Sequence, residues 1–351
     1  MRCKKFINEF FASVCVLLLL GFSTSAQAAR DWKKISIPGA VCGDGQPYHI
    51  FYSAGDPHQL AFDLMGGGAC WDALTCYALP DTFVHPIPFV VEPSGFVSDR
   101  KEDSPVYAAS LVYFPYCTAD IHLGKHVAQY GPVRVHHEGS LNFEKTITHL
   151  QQVGVIKWNQ VRQFVLMGYS AGALGALVHS MMLDRLLPET ADRVLIADAP
   201  GLHYGNDFSR KFTADQIRDF NEALSPVGVT IDSGNGNLAS AVVKLCEHLP
   251  RWRIGVLQGS RDIVMSLGFS NISPQGEEEL IYGAQGLYSL TSAPRDNCAM
   301  WAPVTYQHTF LMSNYLASTT SSDGVSAMDF VSRLVNAGRI RSTPNAGPNS
   351  R

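Results

Sequence analysis

The chain has 351 residues, 27 Lys and Arg against 31 Asp and Glu, a formal net charge of −4, and 46% hydrophobic residues. That hydrophobic share can fill one large core, and no Pro/Ser-rich linker, repeat or low-complexity stretch divides it, so one domain with excursions is expected. The negative balance, with no basic tract and no basic-aromatic interleaving, excludes nucleic-acid binding.

Arg2, Lys4 and Lys5 stand ahead of an apolar run from Phe10 to Phe22, followed by Ala26-Gln27-Ala28. This is the pattern of a secretory signal over residues 1–28, cleaved after Ala28, and it predicts a secreted or periplasmic protein. Cleavage removes Arg2, Lys4, Lys5 and Glu9, moving the formal charge from −4 to −6. No later segment reaches the roughly 18 apolar residues that a membrane span needs, so no stable membrane insertion is expected after cleavage. Six cysteines remain: Cys42, Cys70, Cys76, Cys117, Cys246 and Cys298. An even number in an oxidising compartment predicts three disulfides, and the spacings leave their connectivity open. No C-x-x-C spacing accompanies them, and neither metal nor other cofactor is expected.

Taken in chain order, apolar runs of strand length lie at Leu60 to Leu64, Ser110 to Pro115, Gln163 to Met167, Arg193 to Ala197 and Arg253 to Gln258. Helical stretches lie between them at Leu141 to Val153, Ala173 to Leu187 and Ala239 to His248. Strands alternating with helices predict an α/β fold: a mostly parallel central sheet with helices on both faces. Residues 29–337 form its single domain, 206–250 a small helical cap, and 338–351, rich in Pro, Gly and polar residues, a disordered tail.

Ligands of an open α/β sheet bind at the carboxyl ends of its strands, so the loops just after these runs should carry the chemistry. The first is Met65-Gly66-Gly67-Gly68-Ala69, a glycine-rich loop whose backbone N–H groups can approach an oxyanion closely. Trp71 and Asp72 follow it as candidates for shaping a pocket. The second loop, Tyr116 to Gly124, contains Asp120 and His122, which are expected to line the cleft. The third is Gly168-Tyr169-Ser170-Ala171-Gly172, between a strand and a helix: the setting of a nucleophile elbow, with Tyr169 also beside the pocket. Gly67, Gly68 and Ala171 are the expected oxyanion donors.

A serine hydroxyl needs a base, and the base needs an orienting carboxylate. On a strand-turn-helix serine of this kind they follow in the order Ser, Asp or Glu, His. Asp262 follows the run ending at Gln258, and His308 is the histidine after it; Ser170, Asp262 and His308 are therefore the expected triad. Asp198, after Arg193 to Ala197, is the rival acid.

Gly66-Gly67-Gly68-Ala69-Cys70-Trp71-Asp72 with Cys76, the block Pro115-Tyr116-Cys117-Thr118-Ala119-Asp120-Ile121-His122, and Gly168 to Gly172 together resemble the pectin acetylesterase/Notum family. The resemblance implies an α/β-hydrolase-like fold that removes acyl groups with the same Ser170, Asp262 and His308. It also implies disulfides Cys42–Cys117, Cys70–Cys76 and Cys246–Cys298. Three positions depart from the family's pattern: Ala69 where an aromatic is usual, Ala173 where a second glycine is frequent, and no cysteine shortly before His308. The resulting expectation is a serine carboxylesterase that takes an ester substrate, with carbohydrate O-acetyl groups as the leading class. Short-chain, lipid or polyester acyl esters, or a non-catalytic binding protein keeping the fold, are the alternatives; the oligomeric state stays open.

Overall fold

The computed structural model of the protein describes residues 30–79, 82–87, 104–292, 296–336 and 342. The expected signal segment 1–28 lies outside the described residues, as does the expected tail apart from Ser342. Ten strands are described: β1 (Lys33–Val41), β2 (Pro47–Ser53), β3 (Asp56–Leu64), β4 (Ala109–Phe114), β5 (His126–Tyr130), β6 (Val133–His137), β7 (Gln163–Tyr169), β8 (Asp192–Asp198), β9 (Trp252–Leu257) and β10 (Cys298–Trp301). Eight of them make one sheet in the order β1-β2-β4-β3-β7-β8-β9-β10, and β5 and β6 pair apart as a hairpin. From β4 to β10 every neighbouring pair is parallel, while β1, β2 and β4 pair antiparallel.

The helices are α1 (Ala73–Tyr77), α2 (Gly139–Gln152), α3 (Ala171–Asp184), α4 (Ala214–Leu224), α5 (Ala239–His248), α6 (Pro274–Tyr282), α7 (Leu287–Ser292), α8 (Asn314–Ala317) and α9 (Ala327–Asn336). Side chains alternate across a strand, so a strand covered on both faces must be apolar at every position. In β7, Phe164 and Leu166 join the core under α2, α3 and α5, whereas Val165 and Met167 join the opposite core with Phe330, Val331 and Leu334 of α9. Phe62 of β3 sits at the centre of the first core, with ring centroids 5.0 Å from Phe164 and 5.1 Å from Phe114.

All five expected strands are therefore central strands of one mostly parallel sheet. The strands that the sequence reading did not single out include the two edges, β1, which begins Lys33-Lys34, and β10, only four residues long, and the separate β5–β6 hairpin, which carries three histidines. The cysteines pair as Cys42–Cys117, Cys70–Cys76 and Cys246–Cys298. Cys42–Cys117 ties the end of β1 to the loop after β4, and Cys70–Cys76 closes the turn from the glycine loop into α1.

The long connection from β8 to β9 holds α4, α5 and short 3₁₀ turns. α4 is set by Thr213, whose hydroxyl accepts from Gln216 N while the Gln216 side chain takes the Thr213 N–H, a reciprocal cap. Two of the contacts that fasten this excursion to the body come from α4. Gln216 Nε2 donates to Cys70 O at 2.6 Å, and Asp219 accepts from Lys125 N at 2.7 Å and pairs with His126 Nδ1 at 2.6 Å. Among the described residues, no helix is long and apolar enough to cross a membrane.

Candidate active site

β7 runs straight into α3 through Ser170, whose φ of 54° and ψ of −122° hold a non-glycine residue in a left-handed turn. So sharp a turn brings backbones together. A Cβ on Gly168 would collide with the Gly172 carbonyl, and one on Gly172 with the Leu64 carbonyl and, at 2.9 Å, with Met65 O. Ser170 stands at the N-cap of α3, yet its side chain makes no capping hydrogen bond. Its hydroxyl instead lies 2.9 Å from His308 Nε2.

His308 Nδ1 lies 2.7 Å from Asp262 Oδ2. A carboxylate only accepts, so Nδ1 carries the proton and Nε2 is the lone pair facing Ser170. Asp262 is buried, and both of its oxygens have further donors: Oδ1 accepts from Val264 N at 2.9 Å and Met265 N at 3.0 Å, and Oδ2 from Gln258 Nε2 at 3.1 Å. These donors fix the carboxylate's rotation. Gln258, which sequence reasoning did not single out, is held in turn by Gly201 N donating to its Oε1 at 3.0 Å.

The rival acid, Asp198, is also buried below this site, but it faces a different partner. Its Oδ2 accepts from Phe310 N and Leu311 N, each at 2.8 Å, so it anchors the loop that carries His308. Burial pushes its carboxyl up to about 7, with those two N–H groups opposing the rise. Nothing local in the sequence foretells this role, because its partners lie 112 and 113 residues away.

Gly67 and Ala171 border a cavity beside Ser170, and Gly68 is half-buried in the same loop. Ala171 is the first residue of α3, so its N–H has no intrahelical acceptor. Gly66 and Gly67 have no room for side chains: a Cβ on Gly66 would lie 2.6 Å from Tyr169 O, and one on Gly67 2.5 Å from the Tyr116 ring. Ala69, where the family pattern has an aromatic, also lines the cavity.

The remaining expected pocket residues are distributed differently. Asp72 is exposed and caps α1, accepting from Thr75 N at 2.7 Å. Trp71 packs edge-on against Phe212 of the excursion, with Lys211 Nζ 5.9 Å from its ring centre. Tyr169 is buried among Met65, Tyr116 and Ala171. Asp120 and His122 do not line the cleft: both are buried, and it is their neighbours Ile121 and Leu123 that face the cavity. The chain direction there is set by left-handed residues at Ala119, Ile121 and His122, which turn the polar side chains beneath the glycine loop.

The cavity has a volume of about 90 Å³. One wall is α3, with Leu174, Leu177, Val178 and Met181; the other is the β8–β9 excursion, with Phe208, Phe212 and Phe220. Met265 and Phe269, from the turn after Asp262, close it. Tyr204 spends its hydroxyl on Pro200 O at 2.7 Å, and the one other polar side chain on the described lining is Ser170, whose hydroxyl meets His308. The excursion's aromatics were not singled out from sequence, because they sit partly in 3₁₀ turns with no helical period to reveal them.

Behind the site, on α6, Glu277 is 1% exposed and neither of its carboxyl oxygens has a hydrogen-bond partner among the described residues. Burial, reinforced by the nearby charge of Asp262, pushes its carboxyl from the ordinary 4.5 up to about 9. A raised acid binds its proton more tightly in the folded state, so its contribution is fully present below about pH 4.5 and is lost as pH climbs toward 9. Glu277→Gln, which cannot titrate, should flatten the fall in Tm between pH 5 and 9. Tm values of wild type and variant that run parallel across this range would show that the folded carboxyl titrates as it does in the unfolded chain, against the raised value.

A mostly parallel sheet with a serine on a strand-turn-helix elbow, and an acid and a histidine after later strands, defines an α/β-hydrolase-like protein. The chain belongs to the pectinacetylesterase family, whose sequence pattern matches residues 30–231. That span includes Ser170 and the glycine loop and stops short of Asp262 and His308. Pectin acetylesterase 7 of Arabidopsis thaliana is 24% identical over 210 residues, covering 58% of this chain and 53% of the relative. The palmitoleoyl-protein carboxylesterase NOTUM of Mus musculus is 26% identical over 198 residues, covering 52% of this chain and 38% of the relative. The chain thus spans about half or less of the length of these relatives. Both are named as carboxylic ester hydrolases.

Proposed function

We propose that the protein is a secreted carboxylesterase in which Ser170 attacks an ester carbonyl, His308 takes its proton at Nε2, and Asp262 holds the imidazole in the required tautomer. The observation that carries this reading is the continuous chain Ser170 Oγ to His308 Nε2 at 2.9 Å and His308 Nδ1 to Asp262 Oδ2 at 2.7 Å. As the serine Oγ–carbonyl carbon bond forms, the carbonyl π electrons move to oxygen, and the N–H groups of Gly67, Gly68 and Ala171 receive that charge. Protonated His308 then gives its proton to the leaving alcohol. Water, deprotonated by the same nitrogen, hydrolyses the acyl-serine and restores the hydroxyl. None of these steps calls for a cofactor. Secretion is supported by the leader-like residues 1–28 and by the three disulfides.

The acyl group that fits best is an unbranched apolar chain rather than acetyl, because an acetyl group would leave most of a cavity walled by Leu177, Met181 and Phe220 unfilled. Each buried methylene contributes about 0.8 kcal/mol. On 4-nitrophenyl esters, kcat/KM should therefore rise about fourfold per methylene from acetate until the cavity is full. Ser170→Ala should be inert throughout. The names of the pectin acetylesterase relatives favour a second reading, removal of O-acetyl groups from a polysaccharide. A rate highest on acetate and falling with chain length would decide for it, and a wild type inert on every ester would point to a binding protein that keeps the fold.

A further inference from the structure

We propose that His122 is a positioning residue for the oxyanion loop: its buried imidazole holds the Met65 carbonyl and so sets the direction of the Gly67 and Gly68 N–H groups. The inference rests on the esterase reading and deepens it. His122 Nε2 lies 2.8 Å from Met65 O. A carbonyl only accepts, so Nε2 carries the proton and the imidazole is a neutral donor; burial, which draws the ring's basicity down, favours the same neutral form. The Met65 carbonyl belongs to the peptide that opens Gly66-Gly67-Gly68. Fixing that peptide plane fixes where a loop of glycines, otherwise the freest of backbones, begins.

The support beneath His122 is more elaborate than a connection from β4 to β5 requires. His122 N donates to Asp120 Oδ1 at 3.1 Å, and the same oxygen accepts from Thr118 Oγ1 at 2.7 Å. Asp120 Oδ2 accepts from Gly139 N at 2.6 Å, at the start of α2. The Tyr116 ring lies 4.7 Å from the imidazole, and its hydroxyl accepts from Ile121 N at 2.6 Å. His122 O is taken by His179 Nε2 of α3 at 2.9 Å. A Cβ on Gly175 of α3 would come within 2.8 Å of His122 Cβ, so the ring is clamped from that side as well. Ala119, Ile121 and His122 are all left-handed, with φ of 50°, 54° and 61°, a conformation that costs non-glycine residues energy. A glycine turn would make the same connection without that strain. The three strained residues aim one donor at one carbonyl, two residues before Gly67.

The test uses variants that respect the backbone. Asparagine tolerates the left-handed region but its amide is too short to reach Met65 O, whereas glutamine has the reach of the imidazole. His122→Asn should lower kcat about 10- to 100-fold with KM within about twofold, the loss expected when transition-state donors shift by part of an ångström. Its affinity for a trifluoromethyl ketone, which forms a tetrahedral adduct on the serine, should fall in step with kcat/KM, and His122→Gln should recover most of both. A folded His122→Asn with wild-type kcat, or a glutamine variant no better than the asparagine one, overturns the proposal. Should His122→Asn melt below the assay temperature, Thr118→Val replaces it. This isosteric change removes one of the bonds holding Asp120, and it should lower kcat several-fold without raising KM; an unchanged kcat there also overturns the proposal. A wild type with no Ser170-dependent ester hydrolysis is a different failure, which removes the esterase reading itself.

Discussion

Replacing Asp262 by Asn should cut kcat by about 10³- to 10⁴-fold while moving Tm little. The amide can still accept from Val264 N and Met265 N, so the local turn survives. What changes is the face toward His308. An amide NH₂ presented to Nδ1 favours the tautomer with its proton on Nε2, and that nitrogen can then no longer accept from Ser170. Asp198→Asn is the control. It keeps an oxygen for Phe310 N and Leu311 N, so activity should fall less than tenfold. Steady-state kinetics on both variants decide the assignment: an active Asp262→Asn beside an inactive, folded Asp198→Asn would hand the acid role to Asp198.

Gly172→Ala should be among the most damaging single methyls at the described glycines. Its Cβ would meet the Leu64 carbonyl, the last peptide of β3, which is hydrogen-bonded into the centre of the sheet and cannot retreat without moving β7. A loss of stability above about 4 kcal/mol is expected, against roughly 1 kcal/mol for an ordinary substitution. Denaturant unfolding reads this directly; a variant that stays within 1 kcal/mol of wild type would mean that the elbow is looser than its contacts imply. Gly131, with open space around its position, is a fitting comparison, although its φ of 61° adds its own strain to an alanine.

These two sites mark what the sequence can express. The elbow was legible because its constraints are local: two glycines, a serine and a strand-to-helix change within a few residues. The five central strands were legible because burial on both faces removes polar residues from them. Asp262 and His308, singled out through chain order, are brought to Ser170 because that order follows the succession of strand ends. The roles of Asp198, Asp120 and His122 were not, since each is defined by backbone groups on distant segments, and a sequence lists side chains rather than the carbonyls they meet. The edge strands, polar in alternation or only four residues long as in β10, look like loops until the sheet exists to pair them.

The β8–β9 excursion divides the protein's information in an unusual way. Ser170, Asp262 and His308, the proposed reacting groups, stand after β7, β9 and β10, whereas one whole wall of the cavity beside Ser170 is written in a single uninterrupted stretch between Pro200 and Leu245. That stretch meets the body through Gln216 and Asp219, through Lys211 Nζ to Phe269 O and Asn237 Nδ2 to Gln285 O, and through Gly201 N to Gln258 Oε1. An exchange of this one contiguous stretch, made to alter the cavity wall, has to keep Gly201, whose N–H holds the Gln258 amide that donates to Asp262.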